Sequence, residues 1–555
     1  VSAGAKLQYP LRVSRGSLFS VFAVAALLAG TEACSLVLDT SADQCSSNAD
    51  CAKKGAAFAG SVCGPERTCL IKCSSNKACT ATAGEPSICV KASGFCAKLK
   101  SPDCQTIYQE PGAIDDDGAV VLGTLFPMTG VNAAGNLPRV SAAELARRHI
   151  HRASSGLPGI NGGPARPLVL LACDDAQDAL RAARHLANDL RVPGIVGPPF
   201  SGVTTSVAKE VTIPAGTLLI SPSATSPTLT ALADNGLVWR TAPSDVLQAE
   251  AMVQLVSRLE GDVRLALSLK PADKIRIAVA HKGDAYGTGL ASVLSKSLRW
   301  NAGADAAANM EFYKQLDYGD PQKSAAADQA ASYKRTVDAL LAFKPHIQIT
   351  IGTAEAVTEI FARVEQGLAL GDLRPTHLLS DGLRTPELLN QIGANDSLRK
   401  RVLGTVPGVP GPNFSAFKIA FDGAFPGTSA DSYAAGAYDA TLLLGFAIAA
   451  AGDKQPLTGA LLDEGLKKTI PGAGRARVNA DVNDINNGFA GMAGAGIDFA
   501  GASGPLDFDP ATGEAKADIQ IWCLKPVAGK PPAFGASGLV FAAQTGLLDG
   551  TFSCP

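Results

Sequence analysis

From Ala119 onward the chain repeats one pattern: a short apolar run, a loop, then a stretch with helical spacing. Residues 119–125 read as a buried strand ending in Phe126-Pro127-Met128-Thr129-Gly130, and 141–152 have helical spacing. Residues 167–173 form the next strand, closing on Asp174-Asp175. The stretch 176–191 is amphipathic, with Leu180, Ala183, Leu186 and Leu190 on one side. Further strands are expected at 275–280, Ile347–Ile351 and 377–379, with helices at 290–298 and 354–365. Strands that are apolar on both faces and alternate with helices specify α/β architecture, with parallel sheets covered on both sides. At 555 residues the chain exceeds what one core supports, so at least two folding units are expected.

The loops carry the chemistry. Ile195-Val196 and residues 217–220 each break into Gly, Pro, Ser and Thr, over 197–205 and 221–228. A helix is expected over 203–211, with Ser201 or Thr204 as its N-cap. Hydroxyls and free N–H groups at the carboxyl end of a strand suit a small anion such as a carboxylate. Neither loop contains an acid, a base or a metal ligand, so the chemistry on offer is binding. Ordinary βα loops, whose Ser and Thr shape turns and cap helices, carry the same residue types.

Gly197-Pro198-Pro199-Phe200-Ser201 and Ser221-Pro222-Ser223-Ala224-Thr225-Ser226-Pro227 resemble the ligand loops of the periplasmic binding proteins, type 1, of the branched-chain amino-acid (Leu/Ile/Val) family, the solute receptors of ABC importers. The resemblance covers roughly residues 119–522, including the strand and acidic turn at 169–178. It implies two Rossmann-like lobes with parallel sheets, joined by a three-stranded hinge and closing on a ligand. Crossings would fall at 240–245, 404–408 and 503–507. The binding domain would span 119–527, with one lobe from 119–243 and 405–503 and the other from 244–404 and 504–527. Residues 323–330 and 479–502 look like insertions, and 528–555 like a tail closed by a Cys523–Cys554 disulfide.

The same resemblance implies the site. Ser201 and Thr204 would hold a carboxylate, and Ser223 and Thr225 would meet the ligand's amine or carboxylate. Tyr286 comes from Asp284-Ala285-Tyr286-Gly287-x-Gly289, one residue shorter between Asp and Tyr than the family's loop. Asp381 falls where the family places an acid against the ligand's ammonium. An aromatic expected after Ile347–Ile351 is replaced by Gly352-Thr353-Ala354-Glu355, which argues against a leucine-like ligand; Phe126 and Phe200 are candidates for the lost apolar wall. The implied function is capture of an amino-acid-like or small organic-acid ligand for an ABC permease or a sensor, without catalysis, cofactor or metal.

The N-terminus reads as an export signal over 1–33: Lys6, Arg12 and Arg15 precede an apolar run at 17–29 that is too short to span a bilayer. Cys34 looks like a lipidated first residue, with outer-membrane anchoring expected from Ser35, although Thr31 and Glu32 depart from the usual pattern and cleavage after Ala33 is the competing reading. A cysteine-rich module follows over 34–104. Cys45-Ser46-Ser47-Asn48-Ala49-Asp50-Cys51 recurs as Cys73-Ser74-Ser75-Asn76-Lys77-Ala78-Cys79, completed by Cys63 and Cys69 and by Cys89 and Cys96. Four cysteines per copy without a histidine favour two disulfides over zinc, in a stapled spacer or interaction module. Cys104 and Cys173 remain and would balance the count. Residues 105–118 read as a linker.

Other functions fit less well. The net charge is −2 with no single-sign run, and only 6% of residues are aromatic, against a nucleic-acid surface. A hydrolase lacks support, because Phe200-Ser201-Gly202 follows Pro199 where a nucleophile elbow needs glycine, and no histidine pair has metal-ligand spacing. A surface interaction lipoprotein with a degenerate binding fold is the remaining alternative.

Overall fold

A computed structural model describes residues 44–55, 58, 60–64, 67–408 and 411–554. The expected export signal over 1–33 and the expected lipidation residue Cys34 lie outside the described residues. Two eight-stranded sheets organise the chain into two lobes. In the first, Val238–Arg240, Leu218–Ser221, Gly194–Val196, Val120–Phe126 and Leu168–Asp174 run parallel in that spatial order. Register aligns Phe126 with Asp174, Val196 with Ile220 and Ser221 with Arg240, so the loops that follow leave from one edge. In the second, Tyr313–Asp317, Ile277–His281, Ile347–Ile351, Thr376–Leu379 and Val402–Pro407 are parallel, and Ile519–Val527, Lys530–Ala542 and Leu547–Gly550 continue antiparallel.

Both faces of each sheet are buried, as the unbroken apolar strands require. One face of the first sheet packs on helices Ala133–Ser154 and Ser432–Ala451, the other on Ala182, Leu186, Val207 and Val211. Ser432–Ala451 is the one described helix long and apolar enough to cross a membrane, yet its apolar window is 94% buried inside the lobe, which makes it a core helix. In the second lobe, helix Asp245–Ala266 covers one face through Met252, Leu255 and Val256, while Leu340, Ile360 and Phe361 cover the other.

The structure moves several boundaries. Cys104–Tyr108 straddles the end of the expected cysteine module and the expected linker but pairs antiparallel with Leu168–Asp174 as an edge strand, fixed by a Cys104–Cys173 disulfide. The third crossing comes later than 503–507, because Phe508–Asp509 and Glu514–Ala515 still extend the first sheet, with Phe508 edge-on to Trp239 at 5.1 Å. The expected tail is two further strands of the second sheet, and Cys523–Cys554 ties its end to them.

Each cysteine repeat pairs its first cysteine with its third and its second with its fourth: Cys45–Cys63 and Cys51–Cys69, then Cys73–Cys89 and Cys79–Cys96. Asn48 and Asn76, equivalent in the repeat, each accept from a later cysteine's backbone N–H, Cys63 at 2.9 Å and Cys89 at 2.8 Å. The second copy is docked on the first lobe: Ile88, Val90 and Leu99 enter its core, and Asn76 N–H donates to Asp117 at 2.7 Å.

Candidate functional site

The carboxyl edges of the two sheets face each other, and the two Ser/Thr loops lie between them. Gly197 has φ +106° and an added Cβ would sit 2.1 Å from the Leu125 carbonyl oxygen, so the first loop needs glycine to leave its strand. Helix Ser201–Val207 is capped by Phe200, which offers no side-chain bond. Ser201 is instead its first residue, and its Oγ accepts from Thr225 N–H at 3.2 Å and Ser226 N–H at 3.1 Å. Thr204 Oγ1 donates to the Pro198 and Phe200 carbonyls at 3.0 Å, so its hydroxyl braces its own loop. Ser223 donates to the Pro199 carbonyl at 3.0 Å and accepts from Arg139 Nη1 at 3.0 Å. The two loops are thus one hydrogen-bonded unit.

Thr225 passes the network to the hinge: its carbonyl accepts from Asp245 N–H at 2.8 Å where helix Asp245–Ala266 begins. One turn on, Gln248 Nε2 donates to Asp381 Oδ1 and to Thr405 Oγ1, both at 2.8 Å. Asp381, 8% exposed, also accepts from Tyr286 at 2.7 Å and from the Tyr433 hydroxyl of the first lobe. Ser201, Thr225, Tyr286 and Asp381 therefore belong to one connected site. Burial first, then the Asp381 charge, pushes the Tyr286 and Tyr433 hydroxyls well above the usual phenol range, so both stay protonated donors.

The expected apolar wall is absent from this network. Phe126 is fully buried in the core of the first lobe, on the same strand face as Leu122. Phe200 is partly buried, with the Lys282 ammonium 5.6 Å from its ring centre, and Lys282 pairs with Asp284 at 3.2 Å. The Asp284-to-Gly289 loop brings the lobes together. Asp284 caps helix Ala285–Ser297, the Ala285 carbonyl accepts from Ser226 Oγ of the first lobe at 2.8 Å, and a Cβ on Gly289 would meet that Oγ at 3.0 Å. Ser226 and Gly289, both small, thus bring the two lobes into contact here.

Arg139, Asp245, Gln248 and Tyr433 escape a motif-based reading because they sit inside helices. Only Tyr433 had a local signal, following Asp431, whose side chain accepts from Ala434 N–H at 2.8 Å as an N-cap. Asp245 is wholly buried, and neither carboxylate oxygen has a well-formed hydrogen bond. Burial and the Asp381 charge hold its carboxyl well above the usual range, against the opposing pull of Thr225 and Arg240. Among the described residues the one cluster with metal-ligand proximity, Cys45, Cys51 and Cys69, has its sulfurs in disulfides.

Two α/β lobes, a chain that crosses between them three times, and a polar site at their facing edges define a hinged solute-binding fold. Residues 119–525 match the periplasmic binding protein family, and the chain belongs to it. Among curated proteins, the chain is 34% identical over 201 residues to the chemotactic signal transduction system substrate-binding protein BasB of Halobacterium salinarum, covering 35% of this chain and 43% of that one. It is 32% identical over 184 residues to Leu/Ile/Val-binding protein homolog 3 of Brucella melitensis, covering 32% and 44%. The chain thus spans less than half the length of these relatives. Among solved structures, the leucine binding protein LivK of Thermotoga maritima superposes with a TM-score of 0.54 at 18% identity, over 77% of this chain and 100% of that one. The branched-chain amino-acid binding protein LivJ of Streptococcus pneumoniae, in complex with isoleucine, gives 0.52 at 18% identity, over 75% and 100%. At that identity these structures speak to the fold. The family is one of solute-binding proteins and implies an extracytoplasmic location.

Proposed function

We propose that this protein is a lipid-anchored extracytoplasmic receptor whose lobes close by a hinge on an amino-acid-like or small organic-acid ligand, for delivery to an ABC permease or for sensing. One observation carries the reading. Around Asp381 and Tyr433, buried polar atoms collect without partners: both Asp245 oxygens, Gln248 Oε1, Arg139 Nε, Arg384 Nε, and the Ser244, Thr385 and Ser432 hydroxyls. Orphaned buried polar atoms cost about 1–3 kcal/mol each, so a cluster of them at a hinge fits a place where a polar guest supplies the missing bonds. A relative named for chemotactic substrate binding supports the sensing outlet, and one named for Leu/Ile/Val binding supports an amino-acid-like ligand. Cys34 as a lipid-bearing residue is the anchor in this reading.

Titration calorimetry with amino acids and small organic acids tests it. A hit should lose about 1.5–3 kcal/mol of binding energy in Asp381→Asn, the range for charge-assisted hydrogen bonds. Equal affinity in wild type and Asp381→Asn, or no hit across the panel, would remove the proposed site.

A further inference from the structure

Two buried guanidinium groups near Asp381 and Tyr433 make no ion pair at bonding distance, although Asp431 lies within electrostatic reach of both. Arg139, on helix Ala133–Ser154 of the first lobe, spends Nη1 on Asn136 at 2.7 Å and Ser223 at 3.0 Å, and its guanidinium carbon lies 5.0 Å from the Tyr433 ring centre. Arg384 follows Asp381 on the second lobe and stacks on Phe534 at 4.8 Å, within electrostatic reach of Asp431 and Tyr433. Each has an Nε shut off from solvent without a partner. Neither forms an ion pair among the described residues, whereas the buried Arg147, Arg240 and Arg399 are each bonded to a carboxylate. The nearby acids carry other bonds, three side-chain donors on Asp381 and a helix N-cap on Asp431, and neither bonds either guanidinium directly. Cations removed from water need an anion, and a guanidinium fork fits a carboxylate in particular.

We infer that the ligand carries an acidic group beyond a single α-carboxylate, gripped by Arg139 from one lobe and Arg384 from the other, so that the receptor takes acidic amino acids or small dicarboxylates. This rests on the receptor reading above and narrows it. In the loops after Ile277–His281 and Ile347–Ile351, Lys282 lies over Phe200 and Thr353 bonds Glu355 where an aromatic was expected, so charged side chains stand where an aliphatic ligand would need apolar surface. Asp245, whose oxygens make no well-formed hydrogen bond, adds a second carboxyl beside Asp381 for an ammonium group; an acidic amino acid would use it and a plain dicarboxylate would not.

The experiment is calorimetry on the full chain with L-glutamate, L-aspartate and succinate against L-leucine and L-isoleucine. At least one acidic probe should bind, and Arg139→Gln and Arg384→Gln should each weaken it about 10- to 100-fold. Arg139→Lys, which keeps the charge and loses the fork, should retain part of the affinity, with circular dichroism and thermal midpoints showing that all variants fold. Tighter binding of leucine or isoleucine than of any acidic probe would overturn this inference and leave the receptor intact. Unchanged acidic-probe affinity in both glutamine variants would also overturn it. No binding by any probe would overturn both.

Discussion

Single residues in this site act by where their bonds go, which the sequence discloses unevenly. Asp381 and Tyr286 stand beside glycines in loops after strands, which is what singled them out, and the fold joins them by a 2.7 Å hydrogen bond. Thr204 was singled out in the same way but spends its hydroxyl on its own loop, because a hydroxyl that braces a loop and one that meets a ligand are the same letter. Asp439 illustrates a residue visible only in three dimensions. Buried on Ser432–Ala451, it accepts from Ala502 N–H at 2.8 Å and Ser503 N–H at 2.7 Å, anchoring the segment that leads to the third crossing. Burial raises its carboxyl to about 7, against those hydrogen bonds. The folded state therefore holds a proton there that the unfolded chain releases above about 3.8. Stability should fall as pH rises from about 4 to about 7 and then level off. Thermal midpoints across that window should decline in the wild type, and the slope should flatten in Asp439→Asn; parallel slopes would contradict the assignment. Tyr433→Phe, which removes one donor to Asp381 and keeps the ring, should weaken ligand binding about 5- to 15-fold, read by calorimetry on protein whose circular dichroism matches the wild type.

At the level of elements, the parallel strands were legible because burial on both faces leaves unbroken apolar runs such as Val120–Phe126. The antiparallel additions were not. Lys530–Ala542 carries Pro531, Pro532, Gly535 and Gly538, and its exposed alternate positions give it the look of a loop. Cys104–Tyr108 is only 5 residues long and borrows its stability from the disulfide to its neighbour. Helix Ala285–Ser297 shows how an element positions a lobe. Its Gly289 faces Ser226 of the other lobe at near-contact distance. Gly289→Val should therefore prop the lobes apart. We expect a ligand affinity loss of about tenfold or more, with a larger radius of gyration in small-angle scattering and little change in the thermal midpoint of the unliganded protein. An unaltered radius would mean that this contact does not set the closed arrangement.

Across the whole molecule, the two cysteine repeats look interchangeable in sequence but do different work. Their shared letters fix the same internal bonds, Asn48 and Asn76 included, which is why the repeat was readable while its attachment was not. Attachment depends on residues outside the repeated motif. Ile88, Val90 and Leu99 enter the first lobe's core, and Leu99 is fully buried, whereas no residue of the first copy joins that core among the described residues. Burying one such side chain contributes about 1.5–3 kcal/mol, so removing three together reaches a large part of a domain's stability. Deleting residues 44–72 should leave both the thermal midpoint and ligand affinity unchanged, because the second copy and its two disulfides remain seated. Deleting residues 44–99 should lower the midpoint by several degrees, since it uncovers the face formed by Val121, Leu171 and Leu190. The cleft lies at the opposite, carboxyl edge of the same sheet, so affinity in whatever fraction stays folded should survive both deletions. Differential scanning calorimetry with and without ligand separates the two effects. If the shorter deletion also destabilises the lobe, the first copy is part of the core after all, and the module folds as one unit with the receptor.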